Sequence, residues 1–312
     1  TKALYNQIDI VAPTNYSIIL NGESGTGKEV IAKTIHQLSS RKGRPFIAMD
    51  CGTLSKELAG SELFGHIKGA FTGAINDKEG HFELANNGTL FLDEVANLSP
   101  EIQASLLRVI QERKFKRIGG TKEIEVNVRI IVATNENLQD AYRNGKFRED
   151  LYHRFNEFSI DLPPLRSRKE DIPLFANFFL QKTNKELNKN IEGFEDDVMK
   201  MFTSYSWPGN LREFRNVIRR SALMNKGGKI STATLPNEIT GFINQKSIAA
   251  VIETEVFKPV SLDLKDTASK AEYEAIMKVL KEVNFNKTKA AELLHIDRKT
   301  LYNKIKSFED AQ

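Results

Sequence analysis

At 312 residues, with 40% hydrophobic and 28% charged residues, the chain has the length of about two domains and the composition of a globular protein. Collagen-like, disordered and disulfide-stapled classes are excluded. The net charge of +4, from 45 Lys/Arg against 41 Asp/Glu, is by itself too small to argue for nucleic acid, so any basic surface must be local.

Cys51 is the single cysteine, which excludes an intrachain disulfide and a Cys-based zinc site. His36, His66, His81, His153 and His295 show no ligand spacing and read as surface or packing residues. No apolar run approaches the ~18 residues of a membrane span and no signal peptide opens the chain, so the expectation is a cytoplasmic protein without a membrane partner. The chain opens on Thr1 rather than Met, which fits a fragment lacking its N-terminal part.

In chain order, the first ~170 residues alternate short apolar runs with helical patterns. Residues 17–20 (SIIL), 46–49 (FIAM), 89–92 (TLFL) and 129–133 (RIIVA) have the length of buried strands. Between them, residues 29–38 and 100–112 read as helices, the second with Ile102, Leu106, Leu107 and Ile110 on one face. The alternation predicts an α/β fold with a parallel sheet covered on both sides, over residues 1–171. From 172 to 240 the pattern is helical, broken at Trp207-Pro208-Gly209 and Gly227-Gly228. Residues 241–263 read as a linker, and 264–312 as a last helical module.

Directly after the first strand stands Gly22-Glu23-Ser24-Gly25-Thr26-Gly27-Lys28-Glu29, running into a helix. This is the G-x-x-x-x-G-K spacing in its required strand–helix context. Glycines let backbone N–H groups face phosphate oxygens, the helix N-terminus adds its dipole, and Lys28 supplies a charge for the β- and γ-phosphates. Glu29 stands where the strict pattern has Ser or Thr. Further on, Leu90-Phe91-Leu92 ends in Asp93 and Glu94. Alone such a pair also fits a solvated strand end. Behind a phosphate loop it reads as a hydrolytic centre, with Asp93 for Mg²⁺ and Glu94 to orient and deprotonate water.

The C-terminal residues hold two short amphipathic helices around a tight turn, with Ala290, Ala291, Leu293, Leu294, Ile296, Leu301 and Ile305 as the apolar set and Asp297 as N-cap. That pattern is helix-turn-helix. Between Lys287 and Lys306, six Lys/Arg face two acids; the surplus of four equals the net charge of the whole chain, so the positive charge is concentrated here. A solvated charged face is the plainer reading of the same residues.

At residues 69–74, Gly69-Ala70-Phe71-Thr72-Gly73-Ala74 follows Ser61-Glu62-Leu63-Phe64-Gly65-His66. By composition this is a flexible small-residue turn. As a motif it is the GAFTGA signature, and from about Val11 to Ser307 the chain resembles the bacterial enhancer-binding proteins, NtrC-like AAA+ activators of sigma-54 RNA polymerase, many of them two-component response regulators. The resemblance implies an AAA+ P-loop sheet with a helical lid, followed by an all-α, Fis-type DNA-binding domain. It implies that Phe71 and Thr72 contact sigma-54, and that Glu29 is the family's own residue after the lysine. Ala85, Asn86, Asn87, Gly88, Thr89, Leu90, Phe91, Leu92, Asp93 and Glu94 match its second nucleotide segment. Thr134 and Asn135 match the γ-phosphate sensor, and Arg212 the second sensor in the lid. Arg148 and Arg154 match arginine fingers that reach a neighbour's nucleotide; an ion pair with Glu149 or Asp150 is their commoner fate. Arg117 falls in a second substrate-facing loop.

Further implications are Mg-ATP as ligand, a ring of six or seven subunits, and upstream enhancer DNA as partner. Lys287, Lys289, Arg298, Lys299, Thr300, Tyr302, Asn303 and Lys304 are implied DNA contacts, and residues 265–283 a dimer helix. Four positions depart from the family. Asp50 stands where Asn often restrains the catalytic glutamate, and an Asp cannot donate, so a direct restraint would pair two carboxylates. Phe214 replaces Leu, His295 replaces Gly and Asp297 replaces Ser. Two rival functions remain open at this level: a DNA-binding repressor that uses nucleotide only as a ligand, and an AAA+ remodeller of another target.

Overall fold

The computed structural model describes residues 2–53, 56–241, 276–280, 283 and 286–309. Residues 1–245 and 246–312 form two compact units. In the first, α1 (Lys2–Val11) leads into β1 (Ile18–Asn21), α2 (Lys28–Leu38), β2 (Phe46–Asp50), α3 (Lys56–Phe64), α4 (His81–Leu84), β3 (Thr89–Asp93) and α5 (Pro100–Glu112). There follow β4 (Lys114–Lys116), β5 (Glu123–Glu125), β6 (Arg129–Thr134), α6 (Leu138–Arg143), α7 (Glu149–Phe155) and β7 (Phe158–Asp161). Five parallel strands make one sheet in the order β2-β3-β6-β1-β7.

Burial explains the uninterrupted apolar strands. Along β1, Ile19 packs with Leu90, Leu92, Ile130 and Val132 on one face of the sheet. Ile18 and Leu20 pack with Phe91, Ile131 and Ala133 on the other. Successive side chains of a strand point to opposite faces, so a sheet covered on both sides needs apolar residues at every position. All four expected strands exist, each with one more residue at its C-terminal end. Those extra residues, Asn21, Asp50, Asp93 and Thr134, form the polar edge of the sheet. β7 and the β4–β5 hairpin are additions to the sequence reading; β7 alternates exposed and buried residues and is too short for a clear period.

The remaining elements of this unit are α8 (Ile172–Leu187), β8 (Gly193–Phe194), α9 (Asp196–Ser204), α10 (Asn210–Met224) and β9 (Lys229–Ile230). They enclose a second core around Trp207, which is fully buried, donates from Nε1 to Phe202 O at 2.7 Å, and packs against Phe202 and Phe214. Helix breaks fall at both expected places. The region is not purely helical, because β8 and β9 pair in parallel over two residues, too few for any periodicity to register. Phe214, at the position where Leu was noted, completes this aromatic cluster.

In the second unit, α11 (Lys287–Leu293) and α12 (Arg298–Glu309) pack Ala290, Ala291 and Leu301 against Ile276 and Leu280. His295 adopts φ 53°, the left-handed conformation that favours the usual Gly. Asp297 accepts from Thr300 N at 2.9 Å and from Thr300 Oγ1 at 2.6 Å, so it caps α12 as expected and its carboxyl is held below the usual range by those bonds. The linker read at 241–263, apart from Gly241, and most of the dimer helix read at 265–283 lie outside the described residues. Among the described residues, no helix is long and apolar enough to cross a membrane.

Candidate active site

Residues 22–27 turn from β1 into α2 with Gly25 at φ 79° and Gly27 at φ 102°, which a side chain would strain. Gly22 N donates to Thr134 O at 3.1 Å, and Thr26 Oγ1 to Glu23 O at 2.7 Å. Lys28 is buried and folds its ammonium back into the turn, donating to Gly22 O at 2.9 Å and Glu23 O at 3.3 Å. Burial pushes its pKa down, against the pull of Asp93 and Glu94. Glu29 turns outward and pairs with Lys33 at 2.6 Å.

The helical region closes this turn from above. Asn210, fully buried with φ 50°, accepts from Leu165 N at 2.8 Å and donates to Glu23 Oε2 and Ser24 O, both at 3.1 Å. Arg166 grips both oxygens of Glu23, at 2.8 and 2.5 Å, and with Asn210 holds the Glu23 pKa down to about 2. Arg212 donates to Ser24 Oγ at 2.6 Å. Arg168 donates to Thr26 O at 3.2 Å and stacks on Phe175.

Between turn and helices opens a cleft of about 250 Å³, lined by Ser24, Gly25, Gly27, Lys28, Glu29, Asp93, Glu94 and Arg212, together with Val30, Phe179, Leu211 and Arg215. Sequence reading missed those last four. Arg215, one helical turn beyond Arg212, was legible from the i, i+3 spacing alone. Asp93 Oδ1 accepts from Glu94 N at 3.0 Å. Glu94 itself adopts φ 53°, and its Oε2 accepts from Asn97 Nδ2 at 3.1 Å. Asp50 does not restrain it; Asp50 Oδ1 accepts from Gly52 N at 2.8 Å. Cys51, buried beside Asp50, Asp93 and Glu94, has its thiol pushed up to about 12, chiefly by burial.

Several expected site residues lie away from the cleft. Of the segment 85–94, only Asp93 and Glu94 line it. Ala85, Asn86, Asn87 and Gly88 form the turn at the opposite end of β3, and Thr89, Leu90, Phe91 and Leu92 are buried within the strand. A strand rises ~3.3 Å per residue, so the five residues of β3 keep the turn at 85–88 roughly 16 Å from Asp93. Thr134 is buried with its hydroxyl bonded to Glu136, and Asn135 lines a neighbouring hollow beside Gly22. Arg148 pairs with Asp150 at 2.7 Å, and Arg154 lines a separate hollow with Asn15, Arg113 and Glu157. Neither reaches the cleft of its own chain.

Residues 69–74 form a turn closed by Gly69 N to Ala74 O at 2.8 Å. Phe71 is 40% exposed, its ring edge-on to His66 at 5.0 Å; Thr72 and Gly73 are exposed, and Ala74 is buried. Arg117 does not face outward. It forms a two-pronged pair with Glu83 at 2.6 and 2.8 Å, in a hairpin turn that packs beside Ala70.

Among the implied DNA contacts, Lys287, Lys289, Arg298, Lys299, Tyr302 and Asn303 are exposed, and Thr300 is half-buried against Asp297. The side chain of Lys304 lies outside the described residues.

Residues 1–161 match the Sigma-54 interaction domain, 166–250 the AAA+ ATPase lid domain, and 267–308 the bacterial regulatory protein, Fis family. The transcriptional regulatory protein ZraR of Klebsiella oxytoca is 43% identical over 304 residues, covering 97% of this chain and 66% of that protein. The regulatory protein AtoC of Escherichia coli (strain K12) is 44% identical over 298 residues, covering 96% and 64%. The chain thus spans just under two thirds of these curated relatives. The crystal structure of NtrX from Brucella abortus superposes with a TM-score of 0.71 at 34% identity, covering 98% of this chain and 67% of that one. NtrX has also been solved in complex with ADP, TM-score 0.71, and with ATP, TM-score 0.70.

Proposed function

Since the chain belongs to the sigma-54 interaction domain family, with an AAA+ lid and a Fis-type helix-turn-helix, we propose that it is a sigma-54-dependent transcriptional activator driven by ATP hydrolysis. One observation carries the reading: Lys28, Asp93, Glu94 and Arg212 line a single cleft, while the turn at 69–74 presents Phe71 and Thr72 to the outside. The family match supports reading that exposed Phe as a contact for sigma-54.

In this reading the glycine turn cradles the phosphates and Lys28 swings from its carbonyls onto the β- and γ-phosphates. Water attacks the γ-phosphorus, Glu94 takes its proton, and the bond to the β-phosphate oxygen breaks, releasing ADP. Arg212 exchanges Ser24 for phosphate. Asn135, beside Gly22, senses the γ-phosphate. Arg148 and Arg154 act on a neighbouring subunit's nucleotide, which agrees with their distance from their own cleft.

The donor set suits Mg²⁺. Asp93 offers one carboxylate at the strand edge, and among the described residues no group of three or more His, Cys, Asp or Glu forms a cage of its own. Mg²⁺ is usually held by one or two carboxylates plus water and phosphates, and would neutralise charge on the phosphoryl oxygens. Subunits would form a hexameric or heptameric ring in the cytoplasm. Lys287, Lys289, Arg298, Lys299, Thr300, Tyr302, Asn303 and Lys304 would hold it on upstream DNA, with α12 in a major groove and residues 265–283 pairing two chains.

The test is binding of purified sigma-54 in ADP plus aluminium fluoride, a mimic of the transferring phosphoryl group. A complex is expected only with the mimic, and the Thr72→Ala variant should lose it while still hydrolysing ATP. A chain that hydrolyses ATP but forms no complex acts on a different target; one that binds ATP without turnover is a nucleotide-regulated DNA-binding protein.

A further inference from the structure

We infer that Asn97 is the positioning residue of the hydrolytic carboxylate, a role that rests on reading Glu94 as the group that activates water. Asp50, at the position where the family often has a restraining Asn, accepts from Gly52 N at 2.8 Å, and a carboxylate has no amide hydrogen to donate to another. The restraint comes from the other side. Asn97 Nδ2 donates to Glu94 Oε2 at 3.1 Å, and Asn97 N donates to Glu94 O at 3.0 Å, so Asn97 closes the turn after β3 through both its side chain and its backbone.

Gly52 completes the seat. A Cβ at that position would overlap Glu94 Oε2 and stand 3.2 Å from Asn97 Nδ2, so the Gly52 backbone and the Asn97 amide both close on one carboxylate oxygen. The remaining oxygen, Oε1, accepts no protein hydrogen bond among the described residues and is the one left for water. Glu94 needs such an anchor. Its backbone occupies the left-handed region, disfavoured for a residue with a Cβ, and a long side chain there has several rotamers to choose from. A donor on Oε2 fixes the rotamer without occupying the basic oxygen. Asn97 itself is exposed, so replacing it opens no cavity.

The experiment uses the full chain with Asn97→Ala and Asn97→Leu, which delete the amide, and Asn97→Gln, which keeps a donor on a longer arm. ATP turnover in the parent, lost in Glu94→Gln, first establishes the reading on which the inference rests; no turnover in the parent refutes that reading and the inference together. With turnover established, kcat should fall about tenfold in the Ala and Leu variants, the usual effect of losing one orienting bond to a charged group. KM, the directly measured Kd for ATP and Tm should stay within twofold or a degree or two of the parent, and Gln should recover most of the loss. A kcat in Asn97→Ala and Asn97→Leu that is unchanged or raised overturns the inference. So does an equal loss in all three variants, or a loss that appears in ATP affinity instead of kcat.

Discussion

Two glycine-rich turns in this chain each place two glycines in the left-handed region and have opposite surroundings. Gly25 and Gly27 sit at φ 79° and 102°; Gly69 and Gly73 sit at 80° and 102°. A Cβ at Gly25 would run into the Gly209 carbonyl and Arg212, whereas one at Gly69 or Gly73 meets nothing within 4 Å. The first turn is therefore fixed by the helices that cover it, through Asn210, Arg212, Arg166 and Arg168. The second is held by its own backbone bonds, one ring contact and the hairpin turn at Gly119 beside Ala70. A turn of the first kind is built to hold a ligand in place. One of the second kind leaves its glycines free of covering groups and its tip open to solvent.

The largest expected effect separates the two turns by function. Lys28→Ala should abolish ATP binding, read as a loss of at least a hundredfold in affinity and of the ATP-induced rise in Tm, because the turn keeps its carbonyls but loses its only buried ammonium among the cleft residues. Thr72→Ala should keep that rise in full. If both variants lost it, the turn at 69–74 would be part of the nucleotide site and the contrast would collapse.

Glycine substitutions sharpen the same contrast at smaller amplitude. Gly25→Ala combines left-handed strain with a backbone collision and should cost roughly 2–5 kcal/mol, together with ATP affinity. Gly73→Ala meets only the strain and should cost about 1 kcal/mol with ATP affinity intact. Denaturant titration of both variants, with and without ATP, measures the difference. Equal costs would mean that the covering helices do not press on the first turn.

What the sequence reveals follows the same division. The four central strands, the lysine and the paired acids are legible because burial on both faces and phosphate chemistry each impose a local pattern. Asn210, Arg166 and Asn97 are not. Their partners are Glu23 and Ser24 in another part of the chain, or a neighbouring turn whose geometry no periodicity announces. Of the segment 85–94, assigned by resemblance, Asp93 and Glu94 line the cleft, and the length of β3 sets the turn at 85–88 at its far end. Arg117, in the loop where the resemblance places a second substrate-facing segment, pairs with Glu83, a contact 34 residues distant in sequence that no local pattern announces.

The smallest effect tests whether the cover over the first turn is electrostatic as well as steric. Glu23 is held at a pKa of about 2, from 4.5, first by Arg166 and then by Asn210. A carboxyl depressed in the folded state adds stability that is complete above its unfolded value and disappears as pH falls through its folded one. The contribution of Glu23 is thus present above pH ~4.5 and lost between about 4.5 and 2. Glu23→Gln removes the titrating group, so its Tm should lie below that of the parent at pH 6 and converge on it as the pH approaches 2. The gap should be a small one, because both side chains of the pair remain more than two-fifths exposed and solvent screens them. Parallel curves with no convergence would assign the turn's cover to packing and neutral hydrogen bonds alone, leaving the Gly25 contact with Gly209 as the main difference between the two turns.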